Sequence, residues 1–314
     1  MEKVSFRVPP QADGLPAKVF LRRFTPVTAR LLVACKRTPG GMTRNGALLR
    51  SIDKVQVGDI VVLQFPGDDL PEGDGLPAVG QAVPFPLAWE NESVWIVEKP
   101  PGMVVYPTPG HDGETLLQAF AGYAREKEIR AAFRPVYRLD RDTSGLLVLG
   151  KDRFSAAFLA KNLKKEYMAV CEGVLTQKGW IERAIDLAPG SRIRRCCPGR
   201  PGTGQYACTE FIPVCHDKSH TLVRFFLHTG RTHQIRVHMA SIGHPLAGDD
   251  LYGGSRRLLS RQALHCRAVS FLDPGNREEI RVSSVLPADI QNAFPRLFAE
   301  EKREEISHAI HVDP

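Results

Sequence analysis

The chain has 314 residues, 43% hydrophobic and 25% charged, which is ordinary globular composition and about two domains' worth of length. No apolar run approaches the roughly 18 residues of a membrane-spanning helix and residues 1–7 carry no apolar signal core, so the expectation is a cytoplasmic protein that does not meet a membrane. Seven scattered cysteines, an odd number without a Cys-x-x-Cys pair, argue against a disulfide framework and against a four-cysteine zinc site.

The net charge of +7 is unevenly spread. Residues 1–66 hold 11 Lys or Arg against 4 Asp or Glu, residues 67–88 hold none against 4, and residues 89–314 hold 31 against 27. A basic excess in the first fifth of the chain points to a polyanionic partner. Residues 67–88 are rich in Gly, Pro and Asp and are expected to be a linker, because that composition sustains neither a helix nor a central strand. Two domains follow, 1–66 and 89–300, with a charged, frayed tail at 301–314.

In the first domain, 19–24 and 29–35 read as short helices, with a helix-start signal in Thr25-Pro26 between them. Turn residues at 38–41 and Asn45-Gly46, then a β-branched run over 55–63 broken by Gly58-Asp59, predict a hairpin. Arg22, Arg23, Arg30, Lys36, Arg37 and Arg44 surround these pieces. Most such clusters are solvated faces, but several cations in a compact unit also suit a nucleic-acid backbone. Two helices, a turn ending in Asn45-Gly46 and a late Val55-x-x-Gly58-Asp59-x-Val61 resemble the alpha-L RNA-binding domain of a ribosomal small-subunit protein and of many RNA-modifying enzymes. Met42 and Arg44 stand where apolar residues usually precede Asn-Gly, which makes this copy degenerate.

The second domain opens with a strand over 93–99, a Pro100-Pro101-Gly102 turn and a second strand over 103–106. Apolar spacing predicts a helix over 115–125. Residues 137–145, Tyr-Arg-Leu-Asp-Arg-Asp-Thr-Ser-Gly, form a loop ahead of an apolar strand at 146–149. Asp140 on such a loop is, by itself, an ordinary surface carboxylate. Its companion is the segment 227–238, Leu-His-Thr-Gly-Arg-Thr-His-Gln-Ile-Arg-Val-His, whose density of polar groups exceeds what a surface requires. A carboxylate loop and an arginine-rich segment can meet as an ion pair in a partly closed site. His228, His233 and His238 are spaced by five with no acidic residue between them, which is poor spacing for zinc. No phosphate-cradling glycine loop is present, so no nucleotide cofactor is implied.

In family order, Lys99-Pro-Pro-Gly102, Arg138-Leu-Asp140-Arg-Asp-Thr-Ser-Gly145, Lys165-Glu-Tyr167-Met-Ala169, Thr229 to His238 and Gly243 to Gly253 resemble the RluA family of RNA pseudouridine synthases from Val94 to about Leu286. Tyr137 stands where the family usually has His, and Cys171 where it usually has a Val-like residue. The resemblance implies an α+β domain on a mixed, largely antiparallel sheet flanked by helices. It implies conversion of specific uridines in structured RNA to pseudouridine with no cofactor and no metal. Asp140 corresponds to the catalytic aspartate, Tyr167 to the active-site tyrosine, whose ring packs on the uracil and whose hydroxyl lies near C5 for the final proton removal, and Arg138 to the residue that fills the vacated stack or holds the flipped phosphate. For the partner of Asp140, Arg236 is favoured over Arg231, five residues away. Arg231, His233 and Gln234 join these as substrate contacts, and Arg22, Arg23, Lys36, Arg37 and Arg44 as RNA contacts. Ribosomal rather than transfer RNA, a monomer and no obligate protein partner complete the expectation. The basic loop 188–206, with Arg192, Arg194, Arg195 and Arg200, reads either as a determinant of RNA specificity or as a solvated insertion. Without the resemblance, Tyr167 is a core tyrosine and Arg236 a surface ion pair of little worth. A non-catalytic RNA-binding platform, and a glycoside hydrolase using Asp140 with Asp142, are the competing readings; the latter needs two carboxylates about 5–10 Å apart facing one sugar.

Overall fold

The computed structural model describes residues 2–65, 83–108, 115–199, 202–299 and 311–313. The first unit runs β1 (Glu2–Arg7), α1 (Ala17–Phe24), α2 (Ala29–Arg37), β2 (Met42–Arg44), β3 (Ala47–Leu48) and β4 (Ile60–Phe65), with sheet order β1-β4-β2-β3. Asn45 and Gly46 both take positive φ, as a tight hairpin turn with the strands' own twist requires. The Asn45 amide also donates to Asp59 and accepts from the Ile60 N–H, fixing the hairpin to the start of β4. Thr28, not Thr25, caps α2, its hydroxyl accepting from the Leu31 N–H; the Thr25 hydroxyl donates back to the Leu21 carbonyl and closes α1. The strand β1, unpredicted from sequence, pairs along its whole length with β4.

The second unit contains β5 (Leu87–Glu90), β6 (Val94–Lys99), α3 (Leu116–Glu126), β7 (Ser144–Gly150), α4 (Arg153–Asn162), β8 (Lys164–Glu172), β9 (Gly179–Glu182), β10 (Asp186–Leu187), β11 (Arg195–Cys196), β12 (Cys208–His216), β13 (His220–Leu227), α5 (Gln234–Ser241), β14 (Leu264–Leu272), β15 (Glu279–Ser283), α6 (Ala288–Ala293) and β16 (His311–Asp313). The main sheet has the order β5-β6-β7-β14-β8-β13-β12-β9, with β15 added to β14 and β16 to β15. All of its described pairings are antiparallel except β7 with β14. This is the mixed, largely antiparallel α+β sheet expected. Every residue of β7 is buried, so the strand that follows the Asp140 loop is anchored on both faces. Gly145 sits where β7 meets β14, at φ +109°, and a Cβ there would lie 2.3 Å from the Cys266 carbonyl oxygen; only glycine fits.

Three further expectations change. Residues 103–106 form no strand, because their carbonyls are committed elsewhere: Val104 and Val105 accept from the Leu116 and Leu117 N–H at the start of α3, and Met103 accepts from Lys99. Leu87 and Ala88, placed at the end of the linker, belong to β5, which Pro84 and Pro86 precede without interrupting because it is an edge strand; residues 67–82 lie outside the described residues. In the tail, His311–Asp313 pairs with β15 rather than fraying, while residues 301–310 lie outside the description.

The two units share packing. The first unit's core of Phe20, Leu21, Leu31 and Leu63 is closed by Phe154 and Phe158 of α4. Phe154 meets Phe6 and Phe65 at ring distances of 6.1 and 5.9 Å, and Lys161 donates to the Thr25 carbonyl.

Below the Asp140 loop, His265 is buried between two serines, its Nδ1 3.0 Å from Ser144 Oγ and its Nε2 2.7 Å from Ser284 Oγ. Burial, then the charges of Arg261 and Arg267, pushes it from 6.5 to about 3, so the folded protein holds it neutral. The unfolded chain binds a proton below pH 6.5 that the folded one does not. Stability contributed here is complete above pH 6.5 and is lost as the pH falls towards 3. Denaturant titrations from pH 7 to pH 4 should show stability falling by up to about 1.4 kcal/mol per pH unit from this group, and His265→Gln should flatten that slope.

Candidate active site

The loop between residues 137 and 145 is held at successive positions. The Lys99 ammonium is fully buried and donates to the carbonyls of Pro100, Met103 and Arg141 at 2.8, 2.9 and 2.8 Å, using all three N–H groups. Burial pushes it down to about 7, opposed by the charges of Asp142 and Asp140. Arg261, forked onto Asp289, donates to the Asp142 carbonyl, and Gln262 donates to Thr143 Oγ1. Asp140 itself meets Arg236, whose Nη1 lies 3.1 Å from Oδ2.

Arg236 occupies the first turn of α5, and its guanidinium is divided between two carboxylates. Nε and Nη2 donate to Asp249 at 2.7 and 2.8 Å, a bidentate pair in which the Asp249 side chain is wholly buried. The remaining nitrogen faces Asp140. Burial alone would lower the Arg236 pKa, but the hydrogen bonds and charges of Asp249, then Asp140, outweigh it and leave the guanidinium above its ordinary value. Tyr252 packs its ring 5.1 Å from the same guanidinium and its hydroxyl accepts from the Arg195 N–H. Gly248, at φ +80°, has no room for a Cβ beside the Arg261 carbonyl and delivers Asp249 to this position.

A cavity of about 670 Å³ opens over the pair. Asp140 is the only carboxylate lining it among the described residues; Tyr106, Arg138, Lys165, Tyr167, Arg231, His233 and Arg236 also contribute. Asp142 is turned away and paired with Arg141 at 2.9 Å, so the two-carboxylate arrangement of a glycoside hydrolase is not assembled. Tyr167 is 5% exposed, and burial, followed by Cys266, holds its hydroxyl protonated well above pH 10. His233 sits at positive φ as the first residue ahead of α5, with Nδ1 2.8 Å from the Tyr252 hydroxyl and Nε2 3.9 Å from Asp140; burial lowers its pKa and keeps it neutral at pH 7.

Arg138 is exposed at the mouth of the cavity. Arg231 points outward and donates from Nε to the Tyr206 carbonyl. The start of α5 lies between Arg231 and Arg236, so five residues of separation place one on a loop and one inside the domain. Gln234 is not available to RNA as expected: its amide accepts from Thr229 Oγ1 and the Arg231 N–H and donates to the Cys208 carbonyl and Thr209 Oγ1, which exhausts it. His228 packs at a tilt against Trp180, and His238 is buried between Thr209 and the Arg183 carbonyl, so the three histidines do not converge. In the first unit, Arg22, Arg23, Arg30, Lys36 and Arg37 are exposed; Arg44 instead donates to the Lys54 carbonyl and pairs with Asp59. Asp249, Tyr252 and Lys99 were given no role from sequence, although the blocks that contain them were visible.

The mixed sheet and its helices have the fold of the pseudouridine synthases. Over 67% of this chain and 92% of the human RNA pseudouridylate synthase domain containing 4, the structures superpose with a TM-score of 0.55 at 20% identity, a likeness of fold. The RNA pseudouridylate synthase family matches residues 93–241. An RNA pseudouridine synthase of Bacillus subtilis, YjbO, is 35% identical over 270 residues, covering 84% of this chain and 93% of the relative. The ribosomal large subunit pseudouridine synthase D of Xylella fastidiosa is 34% identical over 86% of this chain and 87% of its own. The chain belongs to the RNA pseudouridine synthases of the RluA family, isomerases that act on RNA.

Removing Asp249 strands a buried guanidinium. Asp249→Ala should lower stability by about 3–5 kcal/mol in a denaturant titration, whereas loss of the partly exposed Asp140 should cost far less.

Proposed function

We propose that the protein converts a uridine of large-subunit ribosomal RNA to pseudouridine, with Asp140 as the group that acts at the sugar. One observation carries this reading: Asp140 is the only carboxylate lining the cavity among the described residues, and Arg236 holds it from a site anchored by Asp249. Relatives named ribosomal large subunit pseudouridine synthase D favour ribosomal over transfer RNA.

The reaction breaks the N1–C1′ bond, rotates the uracil and joins C5 to C1′; the proton lost from C5 is balanced by one gained at N1. Reactant and product are isomers, so no co-reactant is consumed. Asp140 acts either by attacking C1′ or by taking the C2′ proton to give a glycal. Arg236 fixes the carboxylate's orientation. Tyr167 supplies an aromatic wall for the uracil; burial and its hydrogen bond with Cys266 hold its hydroxyl protonated, so the removal of the C5 proton expected of it is not assigned to it. The uridine must leave its stack to reach this depth, and Arg138, exposed at the mouth, is placed to fill the gap or hold the backbone phosphate.

The first unit serves as an alpha-L-type RNA-binding domain whose exposed Arg22, Arg23, Lys36 and Arg37 meet phosphates. The proposal puts this work in the cytoplasm, by a monomer; among the described residues, no helix is long and apolar enough to cross a membrane.

Asp140→Ala should abolish the reaction while leaving the fold intact, since Arg236 keeps its pair with Asp249. Pseudouridines are mapped by mass spectrometry in large-subunit ribosomal RNA from a strain lacking the gene, complemented with wild type or variant. Restoration by wild type alone is expected; restoration by Asp140→Ala would remove Asp140 from the chemistry.

A further inference from the structure

Tyr106 is an aromatic residue left 38% exposed at the mouth of the cavity, on a segment that the sequence reading treated only as a strand. Its surroundings hold it still. Its ring meets Phe133 edge-on at 5.4 Å and 76°, and Phe133 in turn packs 5.4 Å from the fully buried Phe120. The backbone just before it is fixed at Met103 by the Lys99 ammonium and at Val104 and Val105 by the first N–H groups of α3. Arg138 lines the same cavity, and its charge reaches the Tyr106 hydroxyl.

A rigid ring beside a cation, at the rim of a pocket that admits an extruded base, is suited to stacking on a nucleobase with little entropy left to lose. The buried Tyr167, beside Asp140, already provides a ring at the depth of the reacting uracil. The ring at the mouth therefore meets a different base. We infer that Tyr106 is a substrate-positioning residue that stacks on the nucleotide flanking the extruded uridine, with Arg138 at its side. The inference rests on the RNA-modifying reading of the same cavity and adds to it a contact that selects a single-stranded or bulged neighbour over a paired one.

The test uses the full chain and a hairpin transcript spanning a uridine that the wild-type enzyme modifies, with 2-aminopurine placed beside that uridine. Stacking on Tyr106 should quench the fluorescence on wild-type binding. Tyr106→Phe, which keeps the ring, should retain the quench and the affinity. Tyr106→Leu, which keeps apolar packing on Phe133, should lose the quench and bind RNA about 5- to 100-fold more weakly, with the single-turnover rate at saturating RNA largely kept. Unchanged quenching and affinity in Tyr106→Leu, with wild type active, overturn the stacking role alone. Failure of wild type to form pseudouridine in any large-subunit transcript overturns the underlying reading instead.

Discussion

One guanidinium organises the catalytic unit. Arg236 makes a forked pair with the buried Asp249 and extends its third nitrogen to Asp140, so that a carboxylate on a loop is oriented by a charge rooted in the interior. Two carboxylates against one arginine leave the cluster with a net negative charge. The strongly bonded partner is the one sealed from water; the weaker contact is the one open to the cavity. A buried ion pair of this kind adds little to stability over an apolar replacement, but it penalises any arrangement in which one partner is missing. Its value lies in fixing geometry.

The rest of the fold serves that geometry. Lys99, Arg261 and Gln262 take the carbonyls of Arg141 and Asp142 and the hydroxyl of Thr143, and Gly145 lets β7 close against β14 where no side chain would fit. The loop is thus fixed over the residues that follow Asp140 before any RNA arrives, and a carboxylate held in place in advance needs little reorganisation to act. Tyr252 ties the β10–β11 hairpin to the same cluster through Arg195 and His233.

What could be read from sequence was local. The apolar spacing over 115–125 is α3, Asn45-Gly46 turns a hairpin, and the apolar run 146–149 is the buried heart of β7. What could not be read depends on partners far apart in the chain. Asp249 reaches Arg236 only because the turn through Gly243 and Gly248 doubles back on α5, and nothing in a linear spacing of 13 residues announces it. Lys99 looks like a surface lysine at a strand end until three carbonyls gather around it. Gln234 and Arg44 show the opposite failure: polar residues in a functional segment read as contacts for RNA, yet their hydrogen bonds are spent on the protein itself.

The central claim is that Arg236 acts on chemistry by aiming Asp140. Single-turnover pseudouridine formation by Arg236→Lys, at saturating large-subunit ribosomal RNA transcript, tests it most directly, because lysine keeps the charge but loses the fork that serves two carboxylates at once. The rate should fall about 100-fold or more while RNA affinity stays within about twofold of wild type. A wild-type rate, or a loss confined to affinity, would contradict the account.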